Sequence, residues 1–103
     1  MITLPLIMGI RERLTDLASV IRATAAARGA HDVRVFGSVA RGEEGDGSDI
    51  DFLVTLEPGR TLLDLARLEI ELEALLGRRV DVVTEAGLRE PVRATAVREA
   101  VGV

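Results

Sequence analysis

The chain contains no cysteine and no lysine. Without cysteine there can be neither a disulfide framework nor a thiolate metal site, and the fold asks for no oxidising compartment. Without lysine, a Walker-type phosphate lysine and Schiff-base chemistry are excluded, so cationic contacts fall to the 13 arginines. Tryptophan and tyrosine are also missing and phenylalanine occurs only 2 times, which leaves almost no platform for stacking single-stranded nucleic acid. A formal net charge of -4 points the same way, because a general nucleic-acid binder carries a basic face. The opening MITLPLIMGIRER has no basic residue ahead of a short apolar stretch, far below membrane-spanning length. A soluble, cytoplasmic protein with no direct nucleic-acid or membrane contact is expected.

What remains is small and apolar. With 103 residues, the chain is expected to form a single domain over 1–103 with one modest core and no second lobe for a bulky substrate. Its 48% hydrophobic content is a weak sign that a partner covers part of its surface. Ile7, Ile10, Leu14, Leu17, Ile21 and Ala25 recur at helical spacing, predicting one amphipathic helix from about Pro5 to Arg28, stopped by Gly29. DVRVF reads as a first strand, SVAR as a turn or two of helix closed by Gly42, and DIDFLVTL as a second strand. The stretch EEGDGS between them reads as a hairpin connection. Thr61 with Asp64 resembles a helix start, and Leu62, Leu65, Leu68, Leu72, Leu75 and Leu76 supply its buried stripe until Gly77. RVDVVT is a third strand and EPVRATAVREAV a last helix. The expected architecture is α/β in the order αβαβαβα, a small mixed sheet with flanking helices.

This order locates a site. A crossover through the helix from Thr61 to Leu76 makes the second and third strands parallel if they are neighbours, whereas the short link between the first two strands favours an antiparallel pair. The end of strand one and the starts of strands two and three then share an edge, where Gly37, Ser38, Asp49, Asp51 and Asp81 should converge. The two-residue period puts Asp49, Asp51, Leu53 and Thr55 on one face and Ile50, Phe52, Val54 and Leu56 on the other, with Val80 and Val82 core and Asp81 opposite. Three carboxylates on strands ~4.8 Å apart repel unless a cation sits among them. Oxygen ligands without cysteine or histidine suit Mg²⁺ sharing its shell with phosphate, and two such ions can clamp an in-line phosphoryl displacement. Gly37 lets phosphate approach the backbone, and Ser38 offers a hydroxyl and an N–H.

Gly37-Ser38, ten intervening residues and Asp49-Ile50-Asp51, with Arg41-Gly42 between them and Asp81 on a later strand, resemble the polymerase-beta-type nucleotidyltransferase superfamily. Within it, the length and spacing resemble the minimal nucleotidyltransferases encoded beside HEPN-domain toxins. The resemblance implies the minimal nucleotidyltransferase fold, with Asp49, Asp51 and Asp81 as catalytic and metal-binding residues and Gly37, Ser38 and Arg41 at the nucleotide. It implies two Mg²⁺ ions, ATP as substrate, and transfer of AMP to a tyrosine hydroxyl of a cognate HEPN ribonuclease toxin, with which the chain forms a hetero-oligomer. Two other readings compete: an antitoxin that works by binding alone, and a small-molecule nucleotidyltransferase, ranked lowest for want of a substrate lobe.

Each feature also has a plainer role available. A Gly-Ser pair caps helices, Asp49 and Asp51 could sit on a solvated strand edge, and Asp81 could simply face water. Arg41 suits phosphate contact and helix-end charge equally well. His31, alone before a strand, is expected at the surface. Leu63, Ala66 and Ile70 form a second apolar strip on the long helix, expected to mark a deeply buried helix more than a partner surface.

Overall fold

The computed structural model describes residues 9–43 and 48–103. Helices α1 (Ile10–Asp16) and α2 (Ala18–Ala27) lead into β1 (Ala30–Phe36), a one-turn α3 (Ser38–Arg41) and β2 (Ile50–Leu56). The long α4 (Leu62–Leu76), β3 (Val80–Thr84), a 3₁₀ turn (Glu85–Gly87), α5 (Val92–Glu99) and a two-residue β4 (Val101–Gly102) complete the chain. The sheet runs β3-β2-β1-β4, with β2 parallel to β3 and β1 antiparallel to both β2 and β4. The expected α/β class and strand directions hold. The fourth strand was not anticipated, because two residues at the end of a helical pattern carry no alternation to read.

The single first helix expected from the apolar spacing is instead two, bent at Leu17; Pro5, Ile7 and the rest of its expected first turns lie outside the described residues, as does most of the EEGDGS connection. Hydrogen bonds carry across the bend, Leu17 N–H to Arg13 O at 2.9 Å and Ile21 N–H to Leu17 O at 2.8 Å. Just before it the Thr15 hydroxyl donates back to Arg11 O at 3.1 Å, a contact that bends helices by competing for the carbonyl. Ile10, Leu14, Ile21 and Ala25 of the expected stripe are buried in the core, and Leu17, at the bend, packs against it only partly buried.

That core lies on one face of the sheet. Ile50, Phe52 and Val54 of β2 meet Val80 and Val82 of β3 and the α4 stripe Leu65, Leu68, Leu72 and Leu76. Leu68 and Leu72 are completely buried, each stabilising by roughly 1.5–3 kcal/mol relative to exposure. The start of α4 is a capping box: the Thr61 hydroxyl accepts from Leu63 N–H at 3.2 Å, and the Asp64 carboxylate accepts from Thr61 N–H at 3.0 Å. The second strip of α4 is not buried. Leu63 is 58% exposed and Ile70 66%, because among the described residues α4 is the outermost layer on its side. Leu62, expected in the buried stripe, is 80% exposed instead, since it starts the helix at the margin of the stripe, and Leu75 is only partly buried. The expectation of a deeply buried helix is therefore corrected.

The sheet edge at β3 is closed by side chains. Val80 N–H donates to Glu73 Oε2 at 3.0 Å and Val82 N–H to Glu69 Oε2 at 2.8 Å, so two acids of α4 take the donors that an edge strand otherwise offers to another chain.

Candidate active site

β2 and β3, being parallel and in register, set Asp51 and Asp81 side by side as direct cross-strand partners. On the other side Asp51 is registered against Phe36, the last residue of β1, and the chain turns there through Gly37 into α3. Gly37 has φ 76° and ψ -151°, a conformation essentially reserved for glycine. A Cβ on Gly37 would lie 2.5 Å from Asp51 Oδ2. The missing side chain is thus what lets the backbone rest against the carboxylate.

Asp51 is half-buried, and its carboxyl is pushed above the usual range, first by burial and then by the negative charges of Asp81 and Asp49, with Arg41 partly opposing. Two further acids therefore act on Asp51. Asp49 precedes β2 and faces Arg79, whose Nε stands 3.8 Å from Asp49 Oδ1, with the arginine largely exposed. Among the described residues, no three acidic or histidine side chains close into a ligand set by themselves. Asp49 stands near Arg79 in an exposed pair of little energetic weight, so the expected cluster of three carboxylates is represented by Asp51 and Asp81 in direct register. The donor set still fits a hard divalent cation: two strand-borne carboxylates are adjacent, they raise each other's energy, and Mg²⁺ commonly takes one or two carboxylates and fills its shell with water and substrate phosphate. Asp51 and Asp81 would hold such an ion, joined by Asp49 once it leaves Arg79.

Ser38 begins α3 beside Gly37, and its hydroxyl has no hydrogen-bond partner among the described residues. Arg41 lies at the end of α3, where it is held by acids: Nε donates to Glu43 at 2.9 Å, and Nη1 donates to both oxygens of Glu99 on α5 at 3.0 and 3.1 Å. These bonds raise its pKa, Glu43 most. Of the two roles open to Arg41 in the sequence, the ground-state structure gives it an ion-pair role between α3 and α5. His31 is at the surface as expected, 2.6 Å from Glu57 Oε2.

The sequence reading missed Arg79 and the whole of α5 as neighbours of the site. A polar contact from Glu99 to Arg41 spans 58 residues, and no spacing rule reports a contact at that separation.

A mixed sheet with a glycine turn against paired strand carboxylates is the arrangement of a nucleotidyl-transfer enzyme, and residues 10–102 match the nucleotidyltransferase domain family. The chain belongs to that family. Within it the similarity is to minimal members: a solved structure described as a candidate minimal nucleotidyltransferase superposes with a TM-score of 0.82 at 49% identity, covering 94% of this chain and 98% of that one. The protein adenylyltransferase MntA of Thermococcus cleftensis is 45% identical over 75 residues, 73% of this chain and 76% of that protein. A toxin–antitoxin crystal structure with AMP-PNP superposes with a TM-score of 0.64 at 19% identity, covering 92% of this chain and 72% of that one, a likeness of fold alone. Among the described residues no helix is long and apolar enough to cross a membrane.

Proposed function

We propose that this nucleotidyltransferase is a protein adenylyltransferase that serves as an antitoxin, moving AMP from ATP to a tyrosine hydroxyl of a HEPN-domain toxin. The observation that carries the reading is the Asp51–Asp81 pair with Gly37 laid against Asp51. Asp49, Asp51 and Asp81 are proposed to hold Mg²⁺, two ions when ATP is present. Bound there, the ions supply charge neutralisation at the phosphates and at the leaving pyrophosphate.

The chain's own residues then have separate tasks. Gly37 keeps the space above Asp51 open, and Ser38 offers to a phosphate oxygen a hydroxyl that has no partner among the described residues. Asp81, the more exposed of the strand pair, is placed to take the proton from an incoming hydroxyl, whose oxygen attacks the α-phosphorus as the bond to pyrophosphate breaks. The acceptor must be brought by another molecule, since this chain carries no tyrosine. The name of MntA and the toxin–antitoxin assembly support a toxin as that molecule. The exposed strip Leu62, Leu63 and Ile70 favours a docking contribution as well. It lies on the outer side of α4, across the sheet from the carboxylates.

The test is to incubate the protein with ATP, Mg²⁺ and the product of the neighbouring reading frame, then record intact masses. The expected result is a gain of whole AMP units on the partner, mapped to tyrosine. An unchanged partner mass with continued neutralisation would leave a binding antitoxin in its place.

A further inference from the structure

Beside the carboxylates lies a second feature that the site has not used. A cleft of about 270 Å³ opens between α5 and the turn from β1 into α3. Phe36 and Gly37 line one side, and Pro91, Val92, Thr95 and Ala96 the other. Its two charged residues, Arg41 and Glu99, neutralise one another across the rim at 3.0 Å. We propose that this cleft seats the nucleoside end of the nucleotide substrate, and that Val92 and Thr95 of α5 determine which base is accepted. The inference rests on the nucleotidyltransferase reading and goes beyond it by naming the subsite.

Three observations carry it. The cleft and the carboxylate site share a wall: Gly37 lines the cleft and also touches Asp51, while Phe36 is the register partner of Asp51. A substrate with its phosphates at the aspartates therefore has its remaining part beside the cleft mouth. The cleft is apolar with its charges already paired, which suits an uncharged heterocycle and not a phosphate. Its size, at the lower limit of the ~300–1,000 Å³ of ordinary ligand pockets, suits part of a nucleotide and not all of one. Val92 is 55% exposed although it begins a helix that packs on the sheet, so a base resting on it removes apolar surface from water. The Thr95 hydroxyl has no partner among the described residues and is the group able to read a base edge.

The experiment is calorimetric titration of the whole chain with Mg²⁺ and either ATP or inorganic tripolyphosphate, which has the phosphates but no nucleoside. Thr95→Leu fills the cleft without changing charge. It is expected to weaken ATP binding by about tenfold or more and to leave tripolyphosphate binding as in the parent, which also shows that the variant is folded. Val92→Ser, at an already exposed position, should act in the same sense. Thr95→Val, which removes only the hydroxyl, should narrow the difference between ATP and GTP. If the parent binds ATP while both Thr95→Leu and Val92→Ser bind it equally well, the cleft assignment is overturned and the enzyme reading stands. A cleft that seats the acceptor side chain would give that same binding result together with slower transfer. If the parent binds neither ATP nor tripolyphosphate with Mg²⁺, both readings fall together.

Discussion

Gly37 and Asp51 are one structural unit, and each predicts what happens when the other is changed. Gly37→Ala places a methyl group 2.5 Å from a carboxylate oxygen in a backbone conformation that alanine avoids. A destabilisation of about 1–3 kcal/mol is expected from the backbone alone, read by urea denaturation, together with loss of nucleotidyl transfer. Retained stability and activity would mean that the turn readily adopts another shape. Asp51→Asn acts in the opposite sense on stability. The Asp51 carboxyl titrates above its unfolded value, so the folded state holds its proton longer and the metal-free protein loses stability as pH rises through that window, from just below 4 upward. Removing the charge should leave the metal-free variant as stable as the parent near neutral pH or more so, by a few °C at most at about 4–8 °C per kcal/mol. Below the unfolded carboxyl value the difference should vanish. Added Mg²⁺ should raise the melting temperature of the parent and not of Asp51→Asn, while transfer is abolished. A metal-free variant that melts clearly lower would make Asp51 a structural residue.

At the scale of elements, α4 does three things through three sets of side chains. Its leucine stripe makes the core, its first turn is capped by Thr61 and Asp64, and Glu69 and Glu73 close the β3 edge. Glu69→Ala leaves the Val82 N–H without its acceptor, at a cost of about 1–3 kcal/mol where water cannot replace it. Glu69→Gln keeps an acceptor oxygen and should recover most of that loss. Chemical denaturation of the three proteins, with light scattering to detect edge pairing, checks this; equal stability of parent and alanine variant would show that the edge is already solvated. The capping box and the stripe from Leu65 to Leu76 were legible in the sequence because both depend on residues within a few positions of each other, although Leu62 falls outside the stripe. The edge closure was not, since Glu69 reaches a strand 13 residues on and looks in the sequence like any exposed acid on a helix.

For the whole molecule, the sheet separates two surfaces: carboxylates and the α5 cleft on one face, and the outer strip of α4 beyond the core on the other. A double variant, Asp49→Ala with Asp51→Ala, should therefore still bind its partner through apolar surface yet fail to protect cells from it. The active protein should protect when present well below stoichiometry, because one catalyst modifies many partners whereas a steric inhibitor covers one at a time. Co-purification and a growth assay at matched expression check both parts. A double variant that protects as well as the parent would sink the catalytic reading and leave the binding one.

The sequence by itself determined the elements with strong local periodicity, the strand directions, and the side-by-side placement of Asp51 and Asp81. A two-residue pleat and a helical crossover leave little freedom in where those two carboxylates can go. Tertiary structure decided the rest. It turned Asp49 toward Arg79, tied Arg41 to Glu99, bent the first helix at Leu17, left Leu63 and Ile70 uncovered and set α5 beside Gly37 to form a cleft. Each of these depends on which surfaces meet after the sheet has formed. Hydrophobic spacing says that a face is apolar, but whether another element covers it is settled only by packing between segments far apart in the chain.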